Sequence, residues 1–299
     1  MRAIAVGTVL GIFLAGASAW TQGNQQPQTV STTQPAVSTA APDYSAVYCS
    51  NFVTSDRAKD NAYVISGEES LNKLVFSLRD LVFINKGSSQ GVRVGDRFAV
   101  FRPEEDPLRV QWFKWQDKLS RAMGTYYRDL GQLKVVNVQP NVSTAEIVFA
   151  CEYVQRGDLI GPWQDRPFPP YKPASTFDIF APVSGKSVGM LVYGKTFTQV
   201  FGKFSTAYVN LGTNQGVHVG DYLRIFRYQG SHADNVRNFD DFQYSMYGFG
   251  TTPTKYQWND LPRDVLGEGI VLNVGPNSST IFVTVARTDV YAGDYVEVE

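Results

Sequence analysis

The sequence predicts an all-β fold in which two small β-barrels follow one another, joined by a proline-rich linker. One reason is composition: 16 Tyr, 19 Phe and 26 Gly stand beside only 18% charged residues, which suits sheets and tight turns. The other is an internal repeat, because two blocks of sequence recur in the same order. A period of more than 100 residues indicates tandem domains and excludes a solenoid of short repeats.

The first block occurs at residues 82–102, VFINKGSSQGVRVGDRFAVFR, and again at residues 207–227, AYVNLGTNQGVHVGDYLRIFR. Each occurrence begins with β-branched and aromatic residues typical of a strand. A glycine-containing turn, a Val-Gly-Asp bend and a second strand follow. The bends are Gly95-Asp96 and Gly220-Asp221.

The second block occurs at residues 131–160 and 267–296. It predicts a strand, a Pro-Asn turn, a longer strand, another Gly-Asp bend and a last short strand. The sum is five or six short strands per copy with regular turns, as in a small barrel. The bends are Gly157-Asp158 and Gly293-Asp294. We interpret all four aspartates as turn-stabilising carboxylates that accept backbone N–H groups two residues further on.

The segments outside the repeats have their own signatures. Residues 1–19 contain Arg2, a short apolar run and Ala17-Ser18-Ala19, which predicts a secretory signal peptide cut before Trp20. An uncleaved N-terminal anchor is the alternative. Residues 20–43, rich in Gln, Ser, Thr and Pro, predict a disordered tether. Copy 1 covers residues 44–161, the proline-rich linker residues 162–175, and copy 2 residues 176–299. We expect the linker to be a semi-rigid spacer that holds the copies apart.

The only two cysteines are Cys49 and Cys151. In an exported protein an even number of cysteines allows a disulfide. The sequence leaves open whether they bond or remain two buried thiols, because sequence does not give the distance between them.

Several kinds of chemistry are disfavoured. A net charge of −1 gives no general attraction to nucleic acid or to anionic membranes. Two histidines and two cysteines supply too few ligands for a zinc site, and the sequence contains no EF-hand calcium loop. Gly185-Lys186-Ser187 resembles the end of a phosphate loop, but Phe180 occupies the position of its first glycine. We therefore expect no cofactor, no metal and no enzymatic activity, and we expect no transmembrane span after signal cleavage.

The string N-x-G-x-x-Q-G-V-x-V-G-D-x-x-x-x-[FY]-R, followed by G-x-x-x-V-x-x-V and a closing Gly-Asp, resembles the Src-homology-3-like barrel at the C-terminus of flagellar T-ring assembly proteins. It is also similar to barrels of uncharacterised bacterial envelope proteins. The resemblance covers roughly residues 75–160 and 200–298. It implies an exported, non-enzymatic assembly or wall-associated module of a bacterium. The chain departs from the flagellar family in having two copies of the barrel.

The inserts between the two blocks, residues 103–130 and 228–266, are polar and aromatic together, which suits protein recognition or stacking on sugars. The alternative is that the rings close a barrel end or pack against the other copy. The candidate binding residues are Trp112, Trp115, Tyr126, Tyr127, Tyr244, Tyr247, Tyr256 and Trp258.

The expected function is that of a structural or assembly module that binds envelope proteins. Its expected location is the periplasm, the outer membrane or the cell surface. Binding of peptidoglycan or another glycan through the aromatic inserts is the first alternative. A hydrolase is a weaker one, because no paired acid–base groups are evident. The sequence leaves the partner and the oligomeric state open.

Overall fold

The protein has an all-β fold, as the sequence predicts. The computed structural model describes residues 41–69, 71–106, 110–173, 176–228 and 262–299. Within these ranges the α-helices are α1 (Tyr44–Tyr48) and α2 (Gln116–Met123). The predicted signal peptide and all of the predicted tether except residues 41–43 lie outside the described residues. No helix in the described part of the chain is long and apolar enough to cross a membrane.

Strands of copy 1 form a curved sheet. In chain order they are β1 (Phe52–Thr54), β2 (Val64–Gly67), β3 (Val75–Phe76), β4 (Leu81–Ile84), β5 (Arg97–Glu104), β6 (Thr125–Val138), β7 (Ser143–Ala150), β8 (Val154–Gln155) and β9 (Leu159–Pro162). The order across the sheet is β2-β4-β7-β6-β5-β9, with β1 added to β6. The two edges meet at a bridge between Tyr63 and Leu159, so we call this sheet barrel 1.

Copy 2 forms a closed barrel, here called barrel 2. Its strands are β10 (Val188–Gly194), β11 (Val200–Phe201), β12 (Thr206–Val209), β13 (Tyr222–Arg227), β14 (Asp264–Val274), β15 (Ser279–Ala286), β16 (Val290–Tyr291) and β17 (Tyr295–Val298). Their order around the barrel is β10-β12-β15-β14-β13-β17, which repeats the order of barrel 1 strand for strand. The short pairs β3-β8 and β11-β16 also correspond.

Repeated residues of the sequence build the turns that hold each barrel together. The Gln90 side chain accepts the Gly87 N–H at 2.7 Å, and Gln215 accepts that of Gly212 at 2.9 Å. The next amides of each turn donate to the backbone of the repeated Pro-Asn turn, as from Ser88 N to the Gln139 carbonyl oxygen at 3.0 Å. The two repeated blocks are therefore in contact within each copy, which explains why both blocks recur.

A glycine at matching positions of β6 and β14 allows neighbouring strands to approach closely. A Cβ on Gly131 would lie 2.1 Å from the Phe149 carbonyl oxygen, and one on Gly267 would lie 2.2 Å from that of Val285. Both glycines adjoin a bulge in the strand pairing. Because bulges bend and twist a strand, this position turns the long strand around the barrel.

Each barrel encloses its own apolar core. In barrel 1 the core contains Phe76, Ile84, Leu133 and Ile147, all at most 1% exposed. In barrel 2 it contains Phe201, Ile225, Val271 and Ile281. Inward residues alternate with outward ones along β7, as expected for a strand with one face in a core. Burying such a side chain stabilises the fold by about 1.5–3 kcal/mol.

The linker does not hold the copies apart, contrary to the expectation from its prolines. The described residues of both copies and of the linker belong to one compact unit. Pro162 already belongs to β9, where it is paired with Phe98. Further along, Arg166 makes two hydrogen bonds to Asp129 at 2.8 and 2.9 Å, and Lys172 lies 2.5 Å from Glu268. The linker thus binds to one copy and then the other, since its polar side chains find partners on both.

Candidate protein-interaction surfaces

The insert of copy 1 reaches into barrel 2. It lies between β5 and β6, and its central residue Phe113 is 1% exposed. The ring belongs to the core that also contains Leu191, Phe201 and Val290 of barrel 2. Trp112 and Leu119 pack beside it. We call residues 110–123 the plug, because its Phe113 ring fills the end of a barrel that belongs to the other copy.

A buried glutamine fixes the plug in place. The Gln116 side chain is 5% exposed, and both its amide nitrogen and its amide oxygen make hydrogen bonds. Its Nε2 donates to the Val192 carbonyl oxygen and to the Gln199 Oε1, both at 2.7 Å. Its Oε1 accepts the Trp112 N–H at 2.7 Å. Since a buried amide is costly unless its bonds are made, this arrangement selects one seating of the plug.

The plug turns sharply at Trp115, which caps α2 with φ of +77°. A positive φ is unfavourable for a large side chain and persists only where the surroundings impose it. Here the residues on either side, Phe113 and Gln116, are both held in barrel 2. The strain at Trp115 is therefore offset by the two anchors that flank it.

A cluster of tyrosines fills the space between the copies. Tyr126 of copy 1 lies 5.4 Å from Tyr208 and 6.1 Å from Tyr193 of copy 2, ring centre to ring centre. Burial raises the pKa of all three phenols. Tyr126 accepts a hydrogen bond from Asn51 Nδ2 at 2.6 Å, and Tyr208 donates to the Ser50 carbonyl oxygen at 2.8 Å. The tyrosines thus remain neutral hydrogen-bonding groups at neutral pH.

The segment at residues 49–54 contacts both copies. Its β1 pairs with β6 of copy 1, while Ser278 of copy 2 donates to the Val53 carbonyl oxygen at 2.6 Å. The structure brings Cys49 and Cys151 together as a disulfide with a Cα–Cα distance of 5.5 Å. This bond ties the segment to barrel 1, which leaves its other face to bind barrel 2.

The structure separates the predicted aromatic candidates into three groups. Tyr126 and Tyr127 are strand residues of β6, 3% and 2% exposed, so neither ring is available to a ligand. Trp112 is half-buried against barrel 2, while Trp115 is 58% exposed, with the ammonium groups of Lys114 and Lys118 at 5.2 and 5.7 Å from its ring. The second insert's Tyr244, Tyr247, Tyr256 and Trp258 lie outside the described residues.

The four Gly-Asp bends share one geometry. In each, the aspartate accepts the backbone N–H of the residue three positions earlier: Asp96 that of Arg93, Asp158 that of Gln155, Asp221 that of His218 and Asp294 that of Tyr291. The bond therefore points backwards along the chain, whereas the sequence interpretation placed it two residues ahead. The intervening glycines Gly95, Gly157, Gly220 and Gly293 all have positive φ, which folds the backbone back onto the carboxylate.

Two of these aspartates also form ion pairs that sequence reasoning missed. Arg102 binds Asp158 through two hydrogen bonds of 2.7 and 2.9 Å, and Arg227 binds Asp294 in the same way at 2.7 and 2.8 Å. Burial raises the pKa of Asp294 although Arg227 opposes the shift. Both partners recur in both copies, so a search for opposite charges among the repeated residues could have found the pair. Its role is to join the ends of β5 and β13 to the last bend.

Two clefts lie beside the segments described above. One, of about 520 Å³, is bounded by the plug and includes Glu104, Asp117 and Arg121. The other, an open groove of about 980 Å³, passes the disulfide and includes the exposed ring of Phe204. Within the described ranges no group of three or more His, Cys, Asp or Glu side chains is placed to hold a metal ion.

The most exposed apolar surface of copy 1 is the loop that joins β2 to β4 through β3. Leu71 is 96% exposed, Leu74 67% and Leu78 54%. Scattered exposed leucines are common on proteins, but three within eight residues of one loop form a concentration that a partner could cover. We call this segment, residues 68–80, the leucine loop.

No protein-family model matches the sequence, and no curated protein matches it.

Proposed function

We propose that this protein is an exported, non-enzymatic module of the bacterial cell envelope that binds other proteins in a structural or assembly role. The observation that carries the proposal is the insertion of the copy 1 plug into barrel 2. Within the fold itself, the insert of copy 1 already binds the end of barrel 2. Export is supported by the signal-like residues 1–19 and by the disulfide, which persists in oxidising compartments.

The leucine loop supplies the contact surface in this proposal. Burying one leucine side chain contributes about 1.5–3 kcal/mol, so the three leucines together offset a substantial part of the cost of association. The loop is mounted on a rigid barrel, and Phe76 at its centre is 1% exposed in the core. Little conformational entropy is therefore lost when a partner covers the loop.

Site-specific photocrosslinking in the native host tests the proposal. A photoreactive residue is placed at Leu74 and, as a matched control, at Val94, an exposed valine on another turn of the same barrel. We expect a discrete envelope-protein adduct from position 74 and none from position 94. The combined change of Leu71 and Leu78 to Ser should remove the adduct. Equal or absent crosslinking at the two positions would contradict the proposal.

A second candidate function is glycan binding, with peptidoglycan as the first ligand to test. The observation that favours it is the exposed indole of Trp115 between two lysines, because an exposed ring offers a rigid apolar face for a sugar. Retention of residues 20–299 on insoluble peptidoglycan is compared with retention on cellulose and chitin. Selective retention that Trp115→Ala weakens would favour this function. Retention that the substitution leaves unchanged would remove Trp115 from the account, and no retention would leave protein binding.

A further inference from the structure

The end of barrel 2 that receives the plug corresponds to an end of barrel 1 that has no such neighbour among the described residues. Gly293 precedes the last strand of barrel 2, and a Cβ at this position would lie 3.0 Å from Cγ of Phe113. Gly157 holds the same place in barrel 1, with a similar φ of +87° against +99°. Among the described residues no atom lies within 4 Å of a Cβ built on Gly157. One barrel end is filled, and no described residue occupies the matching position of the other.

The residues around the two barrel ends also differ in solvent exposure: those of barrel 2 are buried and those of barrel 1 are exposed. A bulge in β10 isolates Val192, whose carbonyl accepts Gln116, and a bulge in β2 isolates Ile65 at the matching position. Val192 is 0% exposed, whereas Ile65 is 39% exposed. Gln199, the other partner of Gln116, is 8% exposed, whereas its counterpart Leu74 is 67% exposed. Barrel 1 thus exposes the residues that barrel 2 buries beneath the plug.

Copy 2 carries a second plug-like sequence. In the plug, Phe113 is followed by Lys114, Trp115, Gln116 and Asp117. The second insert contains Tyr256-Gln257-Trp258-Asn259-Asp260, the same order of aromatic residue, long polar residue, Trp, side-chain amide and Asp. Both motifs lie in the connection between matching strands, β5 to β6 and β13 to β14. The chain therefore has two plug sequences and two barrel ends, and in the part that the structure describes the first plug is paired with the end of barrel 2.

We propose that the open end of barrel 1 binds the Tyr256–Asp260 motif of a second copy of this chain. The inference rests on the proposed function and names one partner for the barrel 1 surface. The aromatic ring of Tyr256 would enter beside Gly157, and the Asn259 amide would reach the Ile65 carbonyl, as Gln116 reaches that of Val192. The leucine loop would cover the seated motif.

The contact is heterologous, because the surface given by one chain differs from the surface received by the next. Each bound chain still presents an unused plug sequence or an unused barrel end. Association therefore continues head to tail and gives either a ring or an open filament. This distinguishes it from a two-fold dimer, in which the same patch on both chains is used up.

Two variants, each blocked on one side, test the proposal. The donor-blocked variant carries Tyr256→Ala and Trp258→Ala, and the acceptor-blocked variant carries Leu74→Glu. The control is Val94→Glu, which adds the same charge at an exposed valine elsewhere on barrel 1. Mass is measured by analytical ultracentrifugation over a range of concentrations, on residues 20–299 with the disulfide intact. Circular dichroism verifies that each variant is folded.

The unaltered chain and Val94→Glu should form oligomers larger than dimers as concentration rises, and each blocked variant should remain a monomer. Mixing the two blocked variants should give a one-to-one dimer that grows no further, because only one complementary pair of surfaces remains. An unaltered chain that stays monomeric, a donor-blocked variant that still associates, or a mixture that stays monomeric would overturn the proposal. Should a monomeric chain still crosslink to another envelope protein from position 74, self-assembly fails while the proposed function stands.

Discussion

The matching glycines Gly293 and Gly157 allow the contribution of the plug to be measured against an internal control. Replacement of either by Ala introduces a Cβ at positive φ, which costs roughly 1–2 kcal/mol in both barrels. At Gly293 the new methyl group would also lie 3.0–3.2 Å from atoms of Phe113, whereas at Gly157 it would meet no described neighbour. Forcing such a contact in a packed core adds about 1–3 kcal/mol.

We therefore expect Gly293→Ala to lower the free energy of unfolding by about 1–3 kcal/mol more than Gly157→Ala does. The assay is urea denaturation followed by circular dichroism and tryptophan fluorescence. It is performed at low protein concentration, so that any association through the Gly157 end does not contribute. Coincidence of the two signals shows whether the copies unfold together, as the seated plug and the tyrosines packed between the copies predict.

A third substitution attributes the difference to the plug. Phe113→Ala alone should cost about 3–5 kcal/mol, the usual range for removing a buried phenylalanine ring. In that background the obstacle to the new methyl group is gone, so the two glycine variants should differ by less than about 0.5 kcal/mol. Equal effects of the glycine variants in the unaltered chain, or an excess at Gly293 that persists without Phe113, would refute the seating of the plug in barrel 2.

Replacement of the disulfide, of Gln116 or of Glu297 should change stability by three different mechanisms. Replacing Cys49 and Cys151 by Ser should lower the free energy of unfolding by about 2–4 kcal/mol, as measured by denaturation, because the bond closes a loop of 102 residues. Gln116→Ala should cost about 1–3 kcal/mol and Lys118→Ala almost nothing, since only the former leaves buried partners unpaired. Glu297 is 0% exposed between Arg224 and Arg263; burial opposes its ionisation, but Arg263 and the other partners prevail and lower its pKa. The ionised Glu297 therefore stabilises the fold above the unfolded pKa near 4.5, and this contribution is lost as the pH falls through the lower folded pKa. At pH 7 we expect Glu297→Gln to lower the free energy of unfolding by about 3 kcal/mol. In melting curves measured as a function of pH, this difference should shrink below about pH 4.5.

The strands and turns were predictable because their signals are local and occur twice. Asn210 accepts the Met190 N–H at 2.6 Å, and Asn85 accepts the Tyr63 N–H at 2.7 Å in the same relation. Such residues recur because each copy needs the same bond to hold the same strand. Repetition therefore indicates the scaffold of the fold even without a structure.

The sequence offered packing of the insert rings against the other copy as an alternative, and Trp112 and Tyr126 do pack there. It did not identify Phe113 as the residue that enters barrel 2, because that seating depends on contacts between distant parts of the chain. Phe113 belongs to no strand alternation, and it lies 78 residues before Leu191, with which it shares a core. The prolines of the linker predicted an extended spacer, because they restrict the local backbone. That local preference does not reveal the ion pairs that Arg166 and Lys172 form with the two copies. Tertiary packing overrode the expectation of separated copies.

The positions at which the copies differ carry the remaining information about function. Residues that build each barrel, such as the arginine–aspartate pairs, are the same in both copies. Residues around the barrel ends are different: barrel 2 has Val192, Gln199 and Ala292 where barrel 1 has Ile65, Leu74 and Arg156. Because the first set is buried beneath the plug and the second is exposed, the difference adapts one end to a partner in the same chain. We propose that the other end, where Ile65 and Leu74 are exposed, receives the Tyr256–Asp260 motif of a second copy of this chain.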